Sequence, residues 1–163
     1  MDNNDILIRL RYALDIKNSD MVEIFNFGGE EVTIAEIPKI LTKTDAYEAE
    51  NQMKCNNSML DSFLNGFIIF KRGKRDSKRG ELDTPEPSLK KSANVNNLLL
   101  KKVKIALSLT TEDMLDIFEK GDIIVTKGEL GALLRKEGHK NYKECGDNFA
   151  RKFLKGLAVK YRG

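Results

Sequence analysis

The stretch TKGELGALLRKEGHKNYKECGDNFARKFLKG, residues 126–156, repeats an earlier stretch of the same chain, TIAEIPKILTKTDAYEAENQMKCNNSMLDSFLNG, residues 33–66. The match extends in both directions: at a constant offset of 93, 15 of the 41 positions from residue 3 to residue 43 are identical. Beyond a loop that is three residues shorter in the second copy, the offset becomes 90 and the match runs to Gly73 and Gly163. A period this long indicates two copies of one small domain, because solenoid repeats are much shorter.

Apolar residues recur at the spacing of one helix face four times in each copy. Asn3 or Asn4 is the expected N-cap of the first helix. Gly28 and Gly121 are expected to end the second helix in the left-handed conformation. The apolar stripes of the first copy are Ile6, Leu7, Leu10 and Leu14; Met21, Ile24 and Phe25; Ile37, Ile40 and Leu41; and Met59, Leu60, Phe63, Leu64, Phe67 and Ile68.

The start of the third helix carries the same signal in both copies. Thr33 and Glu36, like Thr126 and Glu129, have the spacing of a capping box. In the first copy Pro38 is expected to lie inside this helix and to bend it, because proline removes a backbone donor.

The fourth helix contains a glycine at the same place in each copy, Gly66 and Gly156. A glycine inside a helix costs about 1 kcal/mol relative to alanine. Its presence twice therefore predicts close helix packing at these two positions.

These patterns predict an all-α protein of two tandem helical domains with about four helices each. The first domain comprises residues 1–73 and the second residues 96–163. Residues 74–95 are rich in charge, contain Pro85 and Pro87 and lack an apolar period, so we predict a linker there. Neither a run of about 18 apolar residues nor a secretory pattern is present, so we expect a cytoplasmic protein without a membrane partner.

The net charge of +3 conceals an asymmetry between the copies. Residues 1–70 contain 6 Lys and Arg against 12 Asp and Glu, whereas residues 96–163 contain 14 against 9. The basic half therefore meets either an external acidic partner, such as nucleic acid, or the acidic half of the same or a second chain. In the second case the facing residues are expected to be Lys101, Lys102, Lys104 and Arg151 against Glu23, Glu30, Glu31 and Asp61.

The sequence offers little for catalysis or metal binding. His139 has no counterpart in the first copy, whereas Cys55 and Cys145 occupy equivalent positions. Because Cys55 has no histidine nearby, we interpret both cysteines as reduced core residues, and His139 as a surface or capping residue. Structural zinc sites usually have four Cys or His ligands, and the chain has three such residues. We predict no catalytic residue, no metal and no cofactor.

Three motifs carry a resemblance to a known family: NNDIL followed by RLRYAL (residues 9–14), FLNGFIIFKRG (residues 63–73) and GHKNYKECGD (residues 138–147). On these motifs the chain resembles the bacterial YehS-like family of uncharacterised proteins over essentially its whole length. The resemblance implies a small bacterial protein with a doubled domain and supplies no catalytic residues.

Two functions remain open from the sequence. The first is a non-enzymatic interaction or regulatory module, with a protein partner or self-association. The alternative is a nucleic-acid-binding protein, because residues 113–120, the turn at 121–125 and residues 126–136 have the order of a helix-turn-helix in a basic domain.

Both functions would use the basic surface of the second copy. Charge reversal at Lys102 and Lys104 is expected to weaken partner binding more than folding. The candidate binding residues are Lys101, Lys102, Lys104, Arg135, Lys136, His139, Lys140, Tyr142, Arg151, Lys152 and Lys155.

Overall fold

The computed structural model describes residues 1–43, 49–73, 95–135 and 139–162. Within these residues the regular structure is helical, which confirms the all-α prediction. The helices are α1 Asn3–Leu14, α2 Asn18–Phe27, α3 Ile37–Ile40, α4 Asn57–Arg72, α5 Val95–Ala106, α6 Thr111–Lys120, α7 Lys127–Leu134 and α8 Asp147–Tyr161. The predicted linker lies outside the described residues except for Val95, which is the first residue of α5.

The predicted N-cap of α1 is wrong. Asp2 is the N-cap, and its side chain accepts a hydrogen bond from the Asp5 backbone N–H. Asn4 is instead buried inside the helix, where its carboxamide donates to the carbonyl oxygens of Ile40 and Met53 at 2.7 and 3.0 Å. It also accepts from the Cys55 backbone N–H. These bonds join α1 to the chain on either side of the loop that precedes α4.

The second repeat contains the same arrangement. Asn97 donates to the carbonyl oxygens of Leu133 and Lys143 at 2.8 and 2.9 Å, and it accepts from the Cys145 backbone N–H at 2.8 Å. A buried backbone group needs a partner. The duplicated asparagine therefore satisfies three backbone groups in each repeat.

Both predicted capping boxes are present, at Thr33 with Glu36 and at Thr126 with Glu129. In the first repeat the box opens a single 3₁₀ turn, Ile34–Glu36, and α3 begins directly after it. Pro38 thus lies in the first turn of a short helix, where its missing N–H has no role. The expected bend within a longer helix is therefore not found.

Glycines allow close contact between α2 and α4, and between α6 and α8. A Cβ on Gly66 would overlap the Ile24 carbonyl oxygen, and a Cβ on Gly156 would overlap that of Ile117. This confirms the predicted close packing.

Gly28 and Gly121 serve the same close contact from the opposite helix. Their φ angles, −86° and −89°, are not left-handed, which corrects the expectation for these two residues. A Cβ at either position would overlap a backbone carbonyl of the facing helix. The left-handed residues lie one position later, at Gly29 and Asp122.

The first helix of each repeat packs mainly against the last helix of the other repeat. Within each repeat the second helix packs on the fourth, α2 on α4 and α6 on α8, whereas α1 packs mainly on α8 and α5 mainly on α4. The buried apolar residues of both repeats form a continuous core. The interface between the repeats therefore consists of two helix pairs, α1 with α8 and α5 with α4.

Candidate binding groove between the first and last helices

The two helix pairs are built alike at one end. Arg72, the last residue of α4, donates to the Ile105 carbonyl and the Ser108 hydroxyl, each at 3.3 Å. Arg162, its equivalent after α8, donates to the Tyr12 carbonyl at 3.0 Å and to the Asp15 carboxylate at 3.4 Å. These contacts connect equivalent positions, because Tyr12 and Asp15 precede Ile105 and Ser108 by 93 residues.

In the middle of the α4 and α5 pair, Lys102 forms polar contacts across the interface. The Lys102 ammonium lies 3.5 Å from the Asp61 carboxylate and donates to the side-chain oxygen of Asn65. Asp61 and Asn65 are each 8% exposed. Lys102 therefore belongs to the interface between the repeats and not to the surface, which overturns the expectation that it contacts an external partner. Asp61 is one of the four carboxylates that the sequence sets against the group of cations containing Lys102.

The α1 and α8 pair lacks this ion pair. The repeat places Arg9 at the position of Lys102, Arg151 at that of Asp61 and Lys155 at that of Asn65. All three side chains are cationic, so Arg9 cannot form the equivalent bonds. Arg9 is exposed and has no ion-pair partner in the described part of the chain, whereas Lys155 pairs with Asp122.

A cavity of about 420 Å³ opens between α1 and α8 at this point. Its apolar wall comprises Ile8, Tyr12, Leu154 and Ala158. Among the described residues, the charged ones that line it are Arg9, Lys43, Lys155 and Asp5. We refer to this cavity, together with Arg151 one helical turn before Lys155, as the α1/α8 groove.

Tyr12 separates the groove from a second cavity of about 350 Å³, which it also lines together with Ile8. The Tyr12 side chain is 60% exposed, and the Arg162 guanidinium lies 4.3 Å from the centre of its ring. A cation over the face of an aromatic ring is attracted to it. This contact places the Tyr12 ring beside Arg162 at the end of the groove.

The remaining predicted binding residues lie elsewhere in the described structure. Lys101 and Lys104 are half-buried on α5, Arg135 is half-buried after α7, and Lys136 lies outside the described residues. His139 and Lys140 are exposed, Tyr142 is half-buried, and Lys152 is half-buried on α8. Of the predicted set, Lys155 lines the groove, and Arg151 lies one helical turn before it on α8.

Sequence reasoning missed Arg9, Lys43, Tyr12 and Ile8 as candidate site residues. The available signal was the charge change between the copies, Asp61 to Arg151 and Asn65 to Lys155, opposite a cation that both copies retain. That signal becomes informative once α1 is known to pack on α8.

Comparison with known proteins defines the family. Residues 3–73 and 96–163 both match the family described as "Protein of unknown function (DUF1456)". The chain belongs to this family. It is also 41% identical over 161 residues to "Uncharacterized protein YehS" of Escherichia coli (strain K12), a match covering 98% of this chain and 96% of that protein. These matches confirm the predicted resemblance and the duplication; no solved structure matches the chain significantly.

The cysteines of this family member are core residues. Cys55 and Cys145 are buried free thiols, and each donates to the carbonyl oxygen of the next residue. Burial, followed by the nearby carboxylates of Glu30 and Asp2, raises the pKa of Cys55 to about 12. Burial, followed by the Asp147 carboxylate, raises the pKa of Cys145 to about 12. Neither thiol is a nucleophile near neutral pH, because the thiolate is the reactive form.

His139 is exposed, and its Nδ1 accepts the Asn141 backbone N–H at 3.0 Å. This confirms the prediction of a surface or capping histidine. Among the described residues, no group of three or more His, Cys, Asp and Glu side chains is placed to hold a metal ion. The helices described here include none that is long and apolar enough to cross a membrane.

The helix-turn-helix interpretation is not confirmed. In the second repeat, residues 121–126 connect α6 to α7, which has eight residues. In the first repeat the equivalent α-helix, α3, has four residues. A helix this short offers about one turn to a DNA groove.

Proposed function

We propose that the protein is a non-enzymatic binding module that holds an anionic partner in the α1/α8 groove. The observation that carries the proposal is the cavity between α1 and α8, which is lined by Arg9 and Lys155 at the positions where the other helix pair holds Lys102 and Asn65. Like charges on facing helices repel each other, and a bound anion would remove that repulsion. An anionic partner would thus interact with Arg9 as the Asp61 carboxylate interacts with Lys102 in the other helix pair.

The environment of the reactive side chains supports a binding role. The two thiols are buried and protonated, and the histidine is exposed and accepts a bond from its own loop. A general base needs a neighbouring group to orient it and a substrate site within hydrogen-bond reach. The groove supplies cations and apolar surface, which suit recognition better than proton transfer.

This proposal is tested by analysing the material that the native protein carries after purification. Protein purified from its own cells is compared with the double variant Arg9→Gln, Arg151→Gln and with the control Lys54→Gln, which removes an exposed cation outside the groove. Each is analysed by size-exclusion chromatography with light scattering, absorbance at 260 and 280 nm and native mass spectrometry, at low and high salt. We expect bound material of low absorbance ratio in the wild type and the control, and its loss from the double variant.

The other outcomes contradict the proposal in distinguishable ways. Bound material that remains on the double variant would place the site elsewhere. A wild type that carries no bound material would contradict the proposal directly. A high absorbance ratio that falls steeply with salt would favour the nucleic-acid alternative, since phosphate contacts release counterions. The chain contains no tryptophan, so bound nucleic acid would dominate the absorbance.

A further inference from the structure

The two helix pairs provide an internal comparison of a filled interface with an open one. In the α4 and α5 pair, the Lys102 side chain occupies the space between the helices and is 14% exposed. In the α1 and α8 pair, Arg9 is exposed and a cavity of about 420 Å³ remains. Equivalent helices form both pairs, and the residues at the positions of Lys102, Asp61 and Asn65 are among those that differ between them.

The walls of the open cavity differ in character. Ile8, Leu154 and Ala158 form an apolar surface, and Leu154 is 2% exposed. Arg9, Lys43 and Lys155 contribute positive charge against the one carboxylate of Asp5 among the described lining residues. Ligand cavities of a few hundred Å³ commonly combine an apolar lining with a few charged groups that fix orientation.

We propose that the α1/α8 groove binds a small organic anion: a carboxylate or phosphate attached to an apolar body. A guanidinium recognises either group through paired hydrogen bonds, so Arg9 would bind the anionic end. The apolar body would lie against Ile8, Leu154 and Ala158. This inference names the partner class for the function proposed above and rests on that proposal.

Such a ligand would also join the two repeats. Arg9, Ile8 and Tyr12 belong to the first repeat, whereas Leu154, Lys155 and Ala158 belong to the second. A ligand that binds the folded protein alone stabilises it in proportion to the logarithm of its concentration over Kd. Occupancy of the groove would therefore strengthen the contact between α1 and α8.

The test uses a fluorescent pair of probes. Anilinonaphthalene sulfonate carries an aromatic body with one anionic group, and N-phenylnaphthylamine has the same body without the anion. We expect the sulfonate to bind the wild type at one site per chain and at least about tenfold more tightly than the neutral probe, because a charged hydrogen bond contributes on that scale. Octanoate and phenyl phosphate should displace it, and their relative strength distinguishes carboxylate from phosphate as the natural end group.

Three variants locate the site. Arg9→Gln should weaken the sulfonate about tenfold and leave the neutral probe unchanged. Ala158→Phe should block both probes by filling the apolar wall. Lys54→Gln removes an exposed cation outside the cavity and should change neither. Thermal unfolding of each variant shows whether it has folded.

A fourth variant introduces, in the α1 and α8 pair, the two α4 residues that bind Lys102 in the other helix pair. Arg151→Asp with Lys155→Asn gives α8 the two residues that α4 presents to Lys102, so Arg9 can pair as Lys102 does. We expect a higher melting temperature and loss of sulfonate binding. Unchanged sulfonate binding in this variant would overturn the inference.

The inference and the proposed function fail differently. If the wild type shows no saturable sulfonate binding but carries cellular material that the Arg9→Gln, Arg151→Gln variant loses, the small-anion inference is overturned and the groove remains an anion site. If the wild type binds no sulfonate and carries no cellular material, or if these substitutions change neither, both proposals are overturned.

Discussion

The Lys102 ammonium of α5 lies 3.5 Å from the Asp61 carboxylate of α4, across the interface between the two repeats. Both side chains are nearly buried, at 14% and 12% exposure. A buried ion pair depends on both partners, because removing one leaves the other charge without compensation. The same positions in the α1 and α8 pair hold Arg9 and Arg151, which leaves that interface without an ion pair at these positions.

Lys102→Met is therefore expected to destabilise the fold, in contrast to the sequence expectation that this lysine mainly serves a partner. The free energy of unfolding should fall by about 2–3 kcal/mol, because Asp61 remains buried without its cation. Urea unfolding measures the change. The control is Lys120→Met, which removes an exposed ion pair with Asp116 within α6 and should cost less than about 0.5 kcal/mol. Equal losses in the two variants would contradict the structural role of Lys102.

Asn97→Ala should be among the most damaging single substitutions on α5. It removes a carboxamide that bonds the carbonyls of Leu133 and Lys143 and the Cys145 N–H. Leaving these backbone groups unpaired should cost about 2–4 kcal/mol. Thermal and urea unfolding measure this loss. The control is Asn148→Ala at an exposed position, which should change the free energy of unfolding by less than about 0.5 kcal/mol. A similar cost for both would rule out the three-bond network as a determinant of stability.

Gly66→Ala and Gly131→Ala should change stability in opposite directions. The new methyl group at position 66 would overlap the Ile24 carbonyl oxygen, so α2 and α4 must separate at a cost of about 2–3 kcal/mol. At position 131 the nearest atom is the Arg135 Nη1 at 3.7 Å, and alanine should stabilise α7 by about 0.5–1 kcal/mol. Circular dichroism during thermal unfolding compares the two. A stabilised Gly66→Ala protein would show that the helices are not in close contact.

Asp147, the first residue of α8, accepts a hydrogen bond from the N-terminal amine of Met1. Its contribution to stability should depend on pH. The Asn96 side-chain hydrogen bond, followed by the bond from the N-terminal amine, lowers the pKa of Asp147 from its ordinary value of 3.8. A lowered folded-state pKa contributes stability above the unfolded value, and that contribution is lost as the pH falls through the folded pKa.

Asp147→Asn tests this linkage. Because the carboxylate is half exposed, the loss at neutral pH should be under about 1 kcal/mol. The difference from wild type should disappear as the pH falls well below 3.8. Urea unfolding at neutral and acidic pH measures it. The same difference at both pH values would show that the Asp147→Asn substitution acts through packing and not through charge.

The local structure followed from the sequence because its signals are short-range. A capping box such as Thr33 with Glu36 satisfies backbone groups within one turn, so its spacing is sufficient to predict it. The errors arose where a short-range signal had a long-range use. Asn4 and Gly28 fit a cap and a helix stop locally, but distant backbone groups determine their actual positions, inside α1 and against Ser62.

The candidate site was less predictable than the fold. Arg151 and Lys155 were identified as binding residues from charge, but Lys102 was included for the same reason and lies in the interface. Charge alone does not distinguish an exposed cation from one that closes an interface, because the outcome depends on the facing residue.

The sequence by itself determined that this protein is helical and duplicated, since apolar spacing, capping boxes and repeated positions are properties of neighbouring residues. The tertiary structure decided which helices face each other. By pairing α1 with α8 and α5 with α4, it placed Lys102 opposite a carboxylate and Arg9 on the same cavity as Lys155. Equivalent helix pairs thus have one closed interface and one open groove, because electrostatic energy depends on the distance between charges in space and not on their separation in the chain.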